Sequence, residues 1–401
     1  MYPAQSKDSV CAASILQGSI SRKIMIVLTA FLLVFAGAFA CPVHAQIETV
    51  LHSFTGQDGS LPGPRLTFDH HGNLYGSTVG NDGFIGSIFE LTSGGQFKVL
   101  YEFPDSSERL FTTGKLVLDS EGNIYGVDQT GGTFGEGAIF KLTPEGVYTV
   151  LYSFTGQGDG AFPNGVIRDK NGNLYGTANF GGAFNEGVVF EFTAAGNEQV
   201  LYSFTGGSDG GEPFDAALYR DAKGNLYGTT MFFGGIISNG VVFKLSPSGV
   251  ETVLHTFTGG GDGARPKGSL VADSQGNLYG TTSTVARSNG GTVFKITPSG
   301  VKTELWTFTA SADQDGYSPN PGLALDAEGN VYGTTFSGGS SNLGTVFGLT
   351  TAGAENVLLS FSGSNGSTPY SGLIFNQSGD LYGTTGFGGT DSQGTVFKLV
   401  P

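Results

Sequence analysis

The sequence predicts an all-β protein, a seven-bladed β-propeller with four antiparallel strands per blade. Three observations carry that prediction. A hexapeptide typified by Gly172-Asn173-Leu174-Tyr175-Gly176-Thr177 recurs seven times, with its tyrosines at 75, 125, 175, 227, 279, 332 and 382. The spacing of 50 to 53 residues is that of a repeat built from small sheets. Each repeat also divides into four short apolar pieces separated by turn residues, the content of one propeller blade.

The pieces are labelled a to d from the axis outward. Piece a is short, apolar and closed by an acid: Leu66–Asp69, Leu116–Asp119, Val166–Asp169, Leu218–Asp221, Leu270–Asp273, Leu323–Asp326 and, with an amide, Leu373–Asn376. Piece b is the Leu-Tyr-Gly-Thr-Thr run. Pieces c and d are typified by Val293–Thr297 and Val150–Phe154, with phenylalanines at 89, 140, 190, 243, 294, 347 and 397 in c and at 54, 103, 154, 204, 257, 308 and 361 in d. These rings are expected to fill the gap between blades, and the glycine after each tyrosine of b to permit close backbone approach near the axis. Outside the N-terminal segment, no window of ten residues keeps a helical period.

The links differ in length. The a–b link is a tight Asp-x-x-Gly-Asn turn and the c–d link is as tight, as in Thr297-Pro298-Ser299-Gly300. The d–a and b–c links, such as Thr205–Pro213 and Asn179–Gly187, are longer. In an up-and-down sheet those two share one edge, so one face of the ring is trim and the other carries the long loops. The repeated region opens on a d piece, Ile47–Phe54, and closes just after a c piece at Pro401. The first strand is therefore expected to complete the last blade and clasp the ring. A linear solenoid is the rival, and it would need caps that the sequence does not offer.

Residues 1–45 read as a cleaved secretory signal: Arg22 and Lys23, an apolar run from Ile24 to Phe39, then Val43-His44-Ala45. A membrane anchor or a lipoprotein modified at Cys41 is the alternative, but the run is short for a span and Phe39 suits lipidation poorly. Cleavage after Ala45 removes both cysteines, leaving residues 46–401 as a disulfide-free domain with no transmembrane span, secreted, extracellular or periplasmic. The net charge of −15 argues against nucleic acid as a partner and against an anionic membrane surface. The expected partner is a glycan or a surface protein, with the chain acting as a monomer.

The repeat Gly-Asn-Leu-Tyr-Gly-Thr-Thr…Gly-Gly…Gly-Thr-Val-Phe-Lys-Leu-Thr…Leu-Tyr-Ser-Phe-Thr-Gly resembles the bacterial GloVer tandem repeat, known from Gloeobacter and Verrucomicrobia. Residues 275–297 and 376–399 follow it almost throughout, and the resemblance extends over 47–401. It implies a secreted or surface-displayed bacterial protein with a varied anchor. Here nothing follows Pro401, so no C-terminal anchor is expected. The Asp-x-x-Gly-Asn turn is loosely similar to that of NHL and gluconolactonase-type propellers, a likeness of fold only.

Candidate sites follow from where the repeats depart from one another. The d–a loops carry Asp58, Asp159, Asp209, Asp262 and Asp315, with Asn365 in the last unit and Pro104–Glu108 in the second. Oxygen-rich loops suit Ca²⁺, so Asp159, Asp209, Asp262 and Asp315 are candidate ligands, and Ca²⁺ is the one cofactor considered. The competing reading is a loop-capping turn. The acid that ends piece a recurs too regularly for catalysis and reads as a turn cap. Arg65, Lys115, Arg168 and Arg220 stand in or beside piece a of the first four units and read either as scattered solvated charge or as the lining of one side of the channel, offsetting the acidic loops. Aromatic residues fall in the long loops: Phe111, Phe162, Phe180, Phe184, Phe214, Phe232, Phe233, Tyr317, Phe336, Tyr370 and Phe387. Phe180, Phe184, Phe233, Tyr317 and Phe387 are the candidate ligand-binding residues, either stacking on sugars or pinning the loops to the ring. His52, His70, His71 and His255 form no recognisable triad, and no catalytic residue is assigned. A binding or scaffolding module is the first reading. A metal-dependent lactonase or lyase with its site in the central channel is the second, and a purely structural envelope protein the third.

Overall fold

A computed structural model describes residues 46–79, 86–103, 114–215, 217–234, 239–284, 290–309 and 315–401. The sequence from Gln46 to Pro401 forms a ring of seven antiparallel sheets. The expected leader, residues 1–45, lies outside the described residues. Among the described residues the only helical turn is a 3₁₀ turn at Gly260–Asp262, and no helix is long and apolar enough to cross a membrane.

Blade 3 illustrates the unit: Ala161–Arg168 (a), Leu174–Phe180 (b), Val188–Phe192 (c) and Glu198–Ser203 (d), hydrogen-bonded in that order. Blade 6 differs, because its a strand is split into Tyr317–Pro319 and Ala324–Leu325, both paired to Val331–Ser337. The clasp is present: Ile47–Ser53 pairs antiparallel with Thr395–Val400 and completes blade 7 as its outer strand. Asn365 Nδ2 adds a bond to Glu48 Oε2 (2.9 Å) across the closing seam.

Phenylalanine holds the blades together. The d-strand ring of each blade meets the c-strand ring of the next edge-to-face, as in Phe54–Phe89 (5.4 Å), Phe154–Phe190 (5.1 Å) and Phe361–Phe397 (5.2 Å). Phe54, Phe154 and Phe361 are wholly buried. Aromatic pairs of this geometry add about 0.5–1.5 kcal/mol beyond their burial. The glycine after the tyrosine of b has a cause beyond the backbone approach expected. It lies opposite the phenylalanine of strand c, as in Gly228 opposite Phe243, and that ring folds across it. A Cβ on Gly228 would lie 2.7 Å from the ring tip of Phe243 and 3.1 Å from Leu218. Ring packing within the blade excludes a side chain there, and in blade 3 backbone approach adds to it, since a Cβ on Gly176 would lie 2.5 Å from Gly165 O.

The a–b turn is capped as expected. In blade 1 Asp69 Oδ1 accepts from the backbone of His71 and Asn73 (2.8 Å each), and Oδ2 accepts from Asn73 Nδ2 (2.9 Å). Burial works against the Asp69 charge, but these bonds outweigh it and hold the carboxyl below the usual range. Blade 7 exchanges the roles: Asn376 caps the backbone of Ser378 and Asp380, and its amide donates to Asp380 Oδ2 (3.0 Å).

Candidate functional site

In every blade the b–c and d–a links lie on the same edge, as the strand order requires. The exposed aromatic residues fall there: Phe134, Phe180, Phe184, Phe214, Phe336, Tyr370 and Phe387. Tight c–d hairpins on the opposite edge expose aliphatic Val147, Val250 and Val301 instead.

The five candidate ligand-binding residues lie in four different blades and do not form one cluster. Phe180 ends strand b of blade 3 and meets Phe162 edge-to-face at 6.1 Å. Phe184, nearby in the same link, is 58% exposed. Phe387 belongs to an exposed trio centred on Tyr370, whose ring lies 5.3 Å from Phe336 and 6.5 Å from Phe387. Phe233 and Tyr317 are half-buried. Phe233 lies under Gly211, where a Cβ would come within 2.8 Å of its ring. Tyr317 packs against the seam around Val293 and Phe347 and donates to Asn342 Oδ1 (3.2 Å). The loop aromatics thus divide into an exposed set and a set that pins loops. Phe111 and the Pro104–Glu108 stretch lie outside the described residues.

Of the four candidate aspartates, Asp159, Asp209 and Asp262 are capping groups in their own links. Asp159 accepts from Thr155 N (2.8 Å), Thr155 Oγ1 (2.6 Å) and Tyr152 Oη (2.8 Å). Asp209 accepts from Thr205 N (2.8 Å) and Tyr202 Oη (2.9 Å). Asp262 accepts from Thr258 N (2.8 Å) and contacts His255 Nε2 (3.1 Å). His52 and His255 fill the tyrosine position of strand d and keep its bond, His52 Nε2 lying 2.8 Å from Asp58 Oδ2. Among the described residues no three His, Cys, Asp or Glu side chains are grouped as a metal site requires.

The outer strand of the next blade brings a second carboxyl to most of these loops, a feature the sequence reading missed. Glu198 faces Asp159, Glu251 faces Asp209 and Glu355 faces Asp315. Burial, then the facing aspartate, pushes all three glutamates up to about 7. The signal was present in the sequence, since Glu48, Glu198, Glu251 and Glu355 each stand six residues before the phenylalanine of d.

The basic residues divide as well. Arg168 and Arg220 do not line the channel. Their guanidinium groups lie over Tyr125 (5.6 Å) and Tyr175 (5.3 Å) of the preceding blade. Arg65 does project to the axis. Its Nη1 and Nη2 lie 3.4 and 3.0 Å from where Cβ atoms on Gly322 and Gly268, in blades 6 and 5, would stand. Burial lowers the Arg65 pKa to about 10, with Asp215 opposing the shift. Desolvation where its ammonium packs lowers Lys115, with the charge of Arg65 second, although the residue keeps an exposed surface, while burial raises Asp215 against the pull of Lys267 and Arg65.

The Gloeobacter/Verrucomicrobia repeat model matches residues 37–235 and 215–401. The chain belongs to the Gloeobacter/Verrucomicrobia repeat family. No curated protein matches the GloVer chain. Among solved structures, the extracellular domain of a putative one-component system from B. thetaiotaomicron aligns with TM-score 0.56 and 12% identity, over 88% of this chain and 40% of that one. A gluconolactonase from Xanthomonas campestris aligns with TM-score 0.42 and 17% identity, over 70% of this chain and 82% of that one. A putative 6-phosphogluconolactonase from Bacteroides uniformis gives 0.47 and 16%, over 73% and 82%. At these identities the likeness to the extracellular domain concerns the fold alone, and the two lactonase alignments carry no argument about activity.

Proposed function

We propose that this GloVer protein is a secreted binding or scaffolding module, and that the long-loop face takes a glycan or a surface protein. The supporting observation is the placement of exposed aromatic rings on that edge of the blades, with Phe336, Tyr370 and Phe387 forming a contiguous trio 37%, 40% and 42% exposed. Aromatic faces held at a rigid rim stack on sugar rings or dock protein at low entropic cost. The leader-like residues 1–45 support export, and N-terminal sequencing of exported protein is expected to begin at Gln46. The lactonase or lyase reading has no comparable support: among the described charged groups coupled to Arg65, Asp215 is the one carboxylate. The deciding experiment is a glycan array combined with affinity capture from envelope extracts, using the parent chain and Tyr370→Ala. Ligands held by the parent and lost in the variant support the reading. A parent that retains nothing, or a variant that retains everything, overturns it.

A further inference from the structure

The axis of the ring is cationic in a protein whose net charge is −15. Arg65 and Lys115 occupy the same position in adjacent blades, each directly before the buried leucine of its inner strand, Leu66 or Leu116. Later blades place Gly165, Ala217, Ser269, Gly322 and Gly372 at the corresponding position. These small residues leave room for the Arg65 head, which reaches across to Gly268 and Gly322. Lys267 enters from blade 5, immediately before Gly268. The inner strands draw tight around this point: Gly372 N donates to Pro64 O (3.1 Å) and Leu373 N to Gly322 O (3.0 Å), linking blades 6, 7 and 1.

Arg65 and Lys267 therefore act on one carboxylate, Asp215, while Lys115 lies within the field of Arg65, and no ion pair within bonding distance joins these groups among the described residues. Arg65 Nη2 is shielded from solvent and has no hydrogen-bond partner among the described residues. A guanidinium that only plugged a channel would be expected to settle on backbone carbonyls, since an unpaired buried donor is costly. We propose that the axial cluster of Arg65, Lys115 and Lys267 is a binding site for a compact oxyanion, the phosphate or carboxylate group of a small molecule or a sugar. The fork of Arg65 suits two oxygens of such a group. The ammonium groups of Lys115, which is open to solvent, and Lys267 supply further point charge.

The test is calorimetric titration of the full chain with sodium phosphate and with sodium glucuronate, each against sodium chloride at equal ionic strength, with thermal melting alongside. Saturable binding of either anion at one site per chain, with a raised melting temperature, is expected. Preference for phosphate marks a free or phosphorylated ligand, and preference for glucuronate marks an acidic sugar. Arg65→Gln and Lys115→Gln should each weaken binding by about tenfold or more. Arg168→Gln, whose guanidinium lies on Tyr125, should leave it unchanged. If Arg65→Gln fails to fold by circular dichroism, the solvent-open Lys115→Gln decides. No saturable heat beyond chloride, or parent-like binding in the folded variants, overturns the proposal. Capture of neutral glycans through Tyr370 would survive Arg65→Gln, so the two readings fail separately.

Discussion

Lys302 Nζ crosses a blade seam to bond both the carboxylate of Asp262 (2.9 Å) and its backbone carbonyl (2.8 Å). Other blades place Glu48, Glu198, Glu251 or Glu355 at this position, and blade 5 supplies its carboxyl two residues later, as Glu304, 2.7 Å from the same ammonium. The exchange turns a seam of facing acids into one with a central cation.

Removing that cation should weaken the ring. Lys302→Met leaves Asp262 and Glu304 facing each other in a half-buried seam, and a loss of about 2 kcal/mol is expected from the missing charge-assisted bonds. Equilibrium unfolding in urea measures it. An unchanged midpoint would mean that water replaces the ammonium without cost.

The three acid pairs set a pH dependence. Unfolded glutamate loses its proton near 4.5, whereas Glu198, Glu251 and Glu355 hold theirs to about 7. Between those values the folded state binds more protons, so stability falls as pH rises through the window and stays low above it. The melting temperature should be higher at pH 5 than at pH 8. The triple variant Glu198→Gln, Glu251→Gln, Glu355→Gln should flatten the difference by gaining stability at pH 8. A parent equally stable at both pH values, or a variant with the same slope as the parent, contradicts this account.

Glycine positions should divide by their surroundings. Gly228→Ala drives a Cβ toward Phe243 and Leu218, and overpacking of this kind costs about 1–3 kcal/mol. Gly158 has open space around it and no left-handed φ, so Gly158→Ala should stabilise by about 0.5 kcal/mol through the unfolded chain. Melting curves of the two variants compare them directly.

Tyr370→Ala tests whether the aromatic trio serves binding or packing. Tyr370 is 40% exposed and touches Phe336 and Phe387, which are exposed as well. Ligand capture should disappear while the melting temperature stays within a few degrees, a span of about 1 kcal/mol for a chain of this size. A large drop in melting temperature would place the ring among the loop-pinning residues, with Tyr317.

The sequence by itself determined the blade count, the order of strands within a blade, the capping role of Asp69 and its counterparts, and the clasp made by Ile47–Ser53. All of these depend on neighbours along the chain or on a period that repeats seven times, so local turn chemistry and alternation suffice. Only the tertiary structure decided what meets across a seam or across the axis. Arg65 and Arg168 both belong to the inner piece of their repeats, three register positions apart, yet where each guanidinium ends, by Gly322 on another blade or on Tyr125, is set by the neighbouring blades. Glu198 and Asp159 are 39 positions apart and meet because the outer strand of blade 3 lies beside the link that precedes it. Those contacts are set by the packing angle of whole sheets, which is the sum of many phenylalanine contacts and is written in no single stretch of the chain.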